Sequence, residues 1–449
     1  MDTNMMGREL LIQELDEELP RNWNGIISNG FAVIEKQMTC KRCGSNQFQD
    51  RQFAPCNCGE NCFYCIRCLQ MGKIKKCSLL YHLPEENQFS PIPEPILTWQ
   101  GQLSKQQMQA SDEIVQAIKL KQTRLIWAVA GAGKTEMLFK GIELALREGK
   151  RICIASPRTD VCLELAPRLK SAFQPVEQLT LYGDMEESYR YTQLLIATTH
   201  QLLRFKEAFD VLIIDEIDAF PFNKDTTLQF AAQKAKKNRG TIIYLSATPD
   251  KQMRRDITQK KLAASILPAR YHGFPLPEPK AIWAGDWRTA ISKRQKKAVV
   301  IKEIKRLLDA KRRFLLFVPN IELMLEFSNY LEEVFPESLF TSVSSEDENR
   351  KEKVQNMRKE CYQFMLTTTI LERGVTFRDI DVLVLGAEDR TFTEAALIQI
   401  AGRVGRHRDF PTGKVIFLHY GQTKALKSAI TQIKKMNRLA RERGLLIQS

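Results

Sequence analysis

A lysine and a threonine close the stretch Ala128-Val129-Ala130-Gly131-Ala132-Gly133-Lys134-Thr135, which follows a β-rich run and precedes a helical pattern from Glu136 to Arg147. Glycines at 131 and 133 let backbone N–H groups turn inward around an anion, a lysine adds a positive charge beside it, and a threonine hydroxyl is a ligand for Mg²⁺. Residues of these types in this order hold nucleotide phosphates. Ala130, Gly131, Ala132, Gly133, Lys134, Thr135 and Glu136 are therefore the candidate nucleotide contacts. A magnesium nucleotide also needs a carboxylate at the end of a neighbouring strand, and Val211-Leu212-Ile213-Ile214-Asp215-Glu216-Ile217-Asp218 supplies one. Asp215 is expected to hold Mg²⁺ together with Thr135, and Glu216 to polarise the attacking water. Further along, Gln399-Ile400-Ala401-Gly402-Arg403-Val404-Gly405-Arg406 carries two arginines at the spacing of one helical turn. Their permanently charged guanidiniums suit the charge that builds on a transferring phosphoryl group. Gly402 and Gly405 would each cost a helix about 1 kcal/mol, which argues for close packing against the nucleotide.

A different chemistry lies near the N-terminus. Of 11 cysteines, eight fall between Cys40 and Cys77. Cys40-Lys41-Arg42-Cys43 and Cys65-Ile66-Arg67-Cys68 are two Cys-x-x-Cys knuckles, and four thiolates presented from two tight turns give the closed tetrahedral site of structural zinc. The metal ligands expected here are Cys40, Cys43, Cys65 and Cys68, with Arg42, Arg67, Lys73, Lys75 and Lys76 placed in sequence to offset the negative centre. Cys56, Cys58, Cys62 and Cys77 could replace one knuckle, bind a second metal or be spare thiols; the spacing does not choose between these.

The elements that must position these groups fall into three regions. The first runs over residues 1–97, with the cysteine module at about 38–78, and ends in the proline-rich Ser90-Pro91-Ile92-Pro93-Glu94-Pro95, a linker composition. Over 98–282, β-rich runs at Arg124–Ala130, Arg151–Ser156, Leu194–Thr198, Val211–Asp215 and Thr241–Ser246 alternate with helical stretches. Over 283–449 the alternation resumes with Phe314–Val318, Phe364–Thr368, Val382–Leu385 and Val415–His419, and a basic helix closes the chain. Buried strands alternating with helices predict parallel sheets, so the fold class is α/β, with two tandem domains behind a small metal-binding module.

Composition narrows the partners. The 449 residues, 43% hydrophobic, suffice for more than one core, and the net charge of +14 favours a polyanion. No apolar run approaches the roughly 20 residues of a spanning helix, and the N-terminus lacks the basic start and apolar centre of a secretory signal. The expected location is the cytoplasm, with any membrane contact peripheral.

In their order and spacing these motifs resemble helicase superfamily 2 across both α/β regions. The resemblance implies two RecA-like domains and ATP as the nucleotide. It makes Gln106, in Trp99-Gln100-Gly101-Gln102-Leu103-Ser104-Lys105-Gln106, similar to the glutamine that reads adenine, and Ser246-Ala247-Thr248 similar to the motif that couples hydrolysis to movement. Thr368-Thr369-Ile370-Leu371-Glu372-Arg373-Gly374-Val375-Thr376 resembles the strand-end motif that faces nucleotide, through Gly374, and nucleic acid, through Thr368. Pro157-Arg158 and Thr199-His200-Gln201 occupy the places where such domains touch a sugar-phosphate backbone. Hydroxyls, backbone N–H groups and one arginine suit phosphates and carry no base code.

Taken with the four-cysteine module, the Asp215-Glu216-Ile217-Asp218-Ala219-Phe220-Pro221 and Ile370-Leu371-Glu372-Arg373-Gly374-Val375-Thr376-Phe377 segments make the whole chain similar to the ComFA family, late-competence ATPases of naturally transformable Gram-positive bacteria. That resemblance implies a DNA-dependent ATPase translocating on single-stranded DNA during uptake, at the cytoplasmic face of the membrane, with other late-competence proteins as partners. A replication-restart or repair helicase, and a nucleic-acid-binding scaffold switched by ATP, are the alternatives.

Overall fold

The computed structural model describes residues 3–15, 25–183, 185, 188–373 and 375–447. Among these, two large sheets dominate. The first has the strand order Gln178–Leu181, Leu194–Thr198, Ile152–Ser156, Phe209–Ile214, Lys236–Ser246, Arg124–Ala128, Ala263–Leu267. Its central pairings are parallel, from Gln178–Leu181 across to Arg124–Ala128. Ile152–Ser156, Leu194–Thr198 and Phe209–Ile214 are buried on nearly every side chain, as strands must be when helices cover both faces. Because the strands run the same way, Ala128, Ile214 and Ser246 end at one edge of the sheet, the edge where open α/β sheets bind ligands.

The second sheet has the order Lys280–Trp283, Val415–His419, Asp381–Leu385, Phe314–Phe317, Phe364–Thr367, Phe340–Val343, parallel throughout. Its core packs Phe314, Leu316, Phe364, Leu366, Leu383 and Leu385 against helix residues such as Phe327 and Leu331. The closing helix, Lys424–Glu442, is capped by the Thr423 hydroxyl accepting from the Leu426 N–H.

Three small antiparallel sheets build the N-terminal region: Glu9–Leu11 with Leu79–His82 and Ile26–Asn29, Phe31–Ile34 with Gln37–Cys40, and Arg51–Phe53 with Phe63–Cys65. Two buried ion pairs key this region to the first α/β sheet. Lys234 Nζ donates to Glu9 at 2.6 Å, and Arg151, wholly buried, donates to Glu85 at 2.6 Å and to the Met6 carbonyl at 3.0 Å. By contact density the chain forms two compact units, 1–127 with 134–266, and 128–133 with 267–449. The backbone of the phosphate-loop candidate thus groups with the second unit, because the Val129 N–H donates to Leu267 and the Tyr271 N–H to Gly131.

The nine β-rich runs expected from the sequence are strands. Within the two large sheets four further strands were not expected, and they are the edges of those sheets: Gln178–Leu181, Ala263–Leu267, Lys280–Trp283 and Phe340–Val343. One correction concerns the arginine motif. The helix Glu394–Ala401 stops before the motif's two arginines, with Gly402 at its C-cap and Gly405 in the left-handed region at φ +68°. Arg403 and Arg406 therefore do not share a helix face; the glycines end the helix instead of interrupting it.

Candidate nucleotide and metal sites

The strand Arg124–Ala128 delivers the chain to the loop, and Gly131 and Gly133 turn it with φ of +82° and +73°, conformations that side chains with a Cβ rarely adopt. Thr135 is buried, and a short 3-10 turn Glu136–Leu138 leads into the helix Phe139–Arg147. Two strands away, Phe209–Ile214 ends at Asp215, whose N–H donates to the Ala155 carbonyl at 2.8 Å. Lys134 Nζ lies 3.8 Å from Asp215 Oδ1. Burial raises the Asp215 carboxyl above the usual range, the Lys134 ammonium opposes that, and Glu216 adds to it. A carboxylate that is uncomfortable in its charged form and has one cation nearby is a fit for a divalent ion, and Thr135 stands on the adjoining loop. Glu136 is ion-paired with Arg168.

The strand between these two carries the third motif. Ser246 Oγ and Thr248 Oγ1 donate to the two oxygens of Asp218, each at 2.7 Å, and the Thr248 N–H donates to Ser246 Oγ at 3.0 Å. Asp218 was not singled out in the sequence, although the Asp-x-x-Asp spacing after a strand and a Ser-x-Thr at the end of its neighbour would have suggested the pairing. The helix Lys105–Leu120 opens with Gln106 and Gln107, both buried, and the Gln107 amide oxygen accepts the Ser104 N–H at 2.8 Å.

In the second unit, Arg403 is buried and its Nε donates to the Glu372 carbonyl at 3.1 Å, while Arg406 Nε donates to the Gly402 carbonyl at 2.9 Å. A Cβ on Gly402 would come 2.6 Å from the Ala130 Cβ, and one on Gly405 2.3 Å from the Pro411 oxygen. No larger residue fits either place without movement. Arg270, missed in the sequence, is buried, donates to the Gly405 carbonyl at 2.5 Å, and would stand 3.5 Å from a Cβ placed on Gly131. Burial, then Arg406, pushes its pKa down to about 9. His272 Nε2 faces the same carbonyl at 3.2 Å, and its Nδ1 accepts the Phe274 N–H at 3.2 Å. These partners fix the neutral tautomer with the proton on Nε2. Burial and Arg270 accordingly push the pKa of His272 down to about 4.

The nucleic-acid candidates lie at strand ends. Pro157 is buried and Arg158 half-buried before the helix Thr159–Ala172. Thr199 is enclosed, and His200, half-buried and with its pKa lowered by burial, stands at the start of the 3-10 segment Thr199–Arg204. Thr368 is half-buried beyond the strand Phe364–Thr367. Gly374 lies outside the described residues.

The structure brings Cys40, Cys43, Cys65 and Cys68 together. All four are buried, their sulfurs lie within 4.8 Å of one another, and Cys40–Cys68 and Cys43–Cys65 are 3.7 and 3.6 Å apart. A tetrahedron with Zn–S bonds of about 2.3 Å has edges of about 3.8 Å, so the donor set fits zinc. Gly44, at φ +73°, makes the first knuckle turn, its N–H donating to the Cys40 carbonyl at 2.8 Å. Hydrogen bonds from the other thiols, Cys43 first, drive Cys40 down, while Cys40 drives Cys68 up. Four thiols sharing protons in this way cannot all ionise without a cation. Of the basic residues expected to offset the centre, Arg42 is engaged by Glu14 at 2.9 Å and by the Met71 carbonyl, and Arg67 by Asp225 at 3.2 Å.

Comparison with known proteins adds three family matches: the ComFA N-terminal domain over residues 1–82, the res subunit of type III restriction enzymes over 100–251, and the helicase conserved C-terminal domain over 295–408. The competence protein ComFA of Bacillus subtilis (strain 168) is 45% identical, with 98% of this chain and 96% of that protein covered. The Streptococcus pneumoniae (strain ATCC BAA-255 / R6) protein of the same name is 38% identical, with 98% and 99% covered. Among solved structures, the DEAD-box helicase Mss116 bound to ssRNA and UDP-BeF superposes with a TM-score of 0.54 at 14% identity, covering 76% of this chain and 82% of that one. That likeness gives the fold: two RecA-like domains.

Proposed function

Given that this chain belongs to the ComFA family of competence proteins, helicase-superfamily-2-like enzymes, we propose that it is an ATP-driven translocase acting on single-stranded DNA during uptake of transforming DNA. The observation that carries this is the pairing of Lys134 with a buried, charge-strained Asp215 at the end of a parallel sheet, 3.8 Å apart. In this reading the backbone from Ala130 to Gly133 and the Lys134 ammonium would hold phosphates, Thr135 and Asp215 would hold Mg²⁺, Glu216 would orient the attacking water, and Gln106 would read the adenine. Arg403 and Arg406 supply positive charge to the phosphoryl group in flight. The magnesium ion, when bound, neutralises charge between the phosphates. Asp218 ties the hydrolytic strand end to Ser246 and Thr248, a direct path by which a change at Asp215 reaches the strand beside it.

Pro157, Arg158, His200, Thr368 and the backbone at Thr199 would grip sugar-phosphate, supported by a net charge of +14. Zn²⁺ would sit among Cys40, Cys43, Cys65 and Cys68. We place the enzyme in the cytoplasm, peripheral to the inner face of the membrane, with other late-competence proteins as partners; among the described residues no helix is long and apolar enough to cross a membrane. The domain division proposed is 1–97, 98–282 and 283–449.

ATPase rates with single-stranded DNA, duplex DNA and RNA, across strand length and salt, test the reading. Stimulation that rises with single-strand length and falls steeply with salt is expected. Length-independent stimulation would instead mark an ATP-switched scaffold, and efficient strand displacement on forked duplexes a restart or repair helicase. Equal, salt-insensitive rates with and without nucleic acid would sink it.

A further inference from the structure

The other four cysteines of the N-terminal module form a second cluster. The sulfurs of Cys56, Cys58, Cys62 and Cys77 all lie within 4.8 Å of one another, with Cys56–Cys77 at 3.6 Å and Cys62–Cys77 at 3.7 Å. These separations are far from the roughly 2.05 Å of a disulfide and match the edge of about 3.8 Å expected of a zinc tetrathiolate. We propose that this chain binds a second Zn²⁺ through Cys56, Cys58, Cys62 and Cys77, in a solvent-facing site distinct from the buried one.

The surrounding chain gives the reason. Residues 54–62 join the short strands Arg51–Phe53 and Phe63–Cys65 without regular structure of their own. Their sequence, Ala54-Pro55-Cys56-Asn57-Cys58-Gly59-Glu60-Asn61-Cys62, offers no large apolar side chain to bury. Such a segment has little to offset the entropy of being ordered. It is nevertheless folded back on itself: the Gly59 N–H donates to the Cys56 carbonyl at 3.3 Å with φ +73° at Gly59, which brings Cys56 and Cys58 to one side of a turn. The fourth thiol comes from elsewhere. Lys75 bridges to Tyr64 and the Lys76 N–H donates to the Phe63 carbonyl at 2.8 Å, a pairing that sets Cys77 beside Cys62. Three thiols from a loop without a core and one from a separate segment converge on a common centre, and a cation is what such convergence serves. Binding releases the thiol protons to solvent and leaves a doubly negative centre, with Lys76 adjacent in sequence and ion-paired to Glu60 at 3.0 Å on the same turn.

The two sites differ in access. In the first, all four cysteines are buried; in the second, Cys58 and Cys77 are exposed, Cys56 is half-buried and Cys62 alone is buried. The outer ion should therefore be the one that chelators reach and oxidants displace.

Zinc counted by mass spectrometry on the full-length chain, purified with its thiols reduced, tests this. Two zinc ions per chain are expected, falling to one in Cys77→Ser and in Cys58→Ser, with the far-UV circular dichroism of both variants unchanged. Under a colorimetric chelator the wild type should release one equivalent quickly and one slowly, and Cys77→Ser only the slow one. One zinc in the wild type that persists in Cys77→Ser overturns the proposal and leaves the inner site standing. One zinc together with a mass two daltons low, the signature of a disulfide in this cluster, overturns it as well. No zinc at all overturns both sites together.

Discussion

The two α/β units carry opposite charge problems. In the first, a buried carboxylate, Asp215, is held above its usual pKa range with one ammonium, Lys134, 3.8 Å away. In the second, three guanidiniums, Arg270, Arg403 and Arg406, donate to the backbone carbonyls of Gly405, Glu372 and Gly402. The first sets a strained carboxylate beside an ammonium, and the second gathers guanidiniums around one turn. In the proposed reading a magnesium ion would serve the first and a phosphate the second.

This contrast can be broken by substitution. The largest effect is expected from Lys134→Ala, which removes the ammonium beside Asp215: ATP turnover should fall by on the order of 10³-fold or more. Turnover near the wild-type value would remove Lys134 from the chemistry. Arg406→Ala probes the other unit, and should spare nucleotide binding, read by fluorescence titration with a labelled ATP, while hydrolysis drops by roughly 10³-fold. Equal losses of binding and hydrolysis would make Arg406 a ground-state contact instead. Asp218→Ala leaves the Ser246 and Thr248 hydroxyls without their acceptor, and should lower stability by about 1–3 kcal/mol in chemical denaturation. An unchanged midpoint would show that these hydroxyls find other partners.

The smallest effect is a pH dependence. His272 has a pKa of about 4 in the fold against an ordinary value of 6.5, so the unfolded chain binds the proton first. Its contribution to stability is complete above about pH 6.5 and is lost as pH falls towards 4, on the order of 1–2 kcal/mol once solvent screening is allowed for. In His272→Asn the slope of stability between pH 6.5 and 4 should flatten.

What the sequence disclosed follows from burial. The interior strands, such as Phe314-Leu315-Leu316-Phe317 and Val211-Leu212-Ile213-Ile214, are covered on both faces and read as unbroken apolar runs. The edge strands Gln178–Leu181 and Phe340–Val343 are partly exposed and short, so no such run marks them. The same division holds at the site. Lys134, Asp215 and the paired knuckles announce themselves by spacing, whereas Arg270 and Asp218 matter through neighbours 135 and 28–30 residues away, which no local pattern encodes. The arginine motif was legible as chemistry but not as geometry, because a glycine inside a helix and a glycine ending one look alike in sequence.

The cysteines also have an order along the chain. Cys56, Cys58 and Cys62 all lie inside the segment that Cys43 and Cys65 close, while Cys77 lies beyond it. The two clusters are therefore interleaved along the chain, and their failures are not symmetrical. Opening the outer one frees a single turn and leaves the knuckles joined. Opening the inner one unties the strand pair on which the outer cluster is hung, so damage that enters from solvent meets the more exposed cluster first.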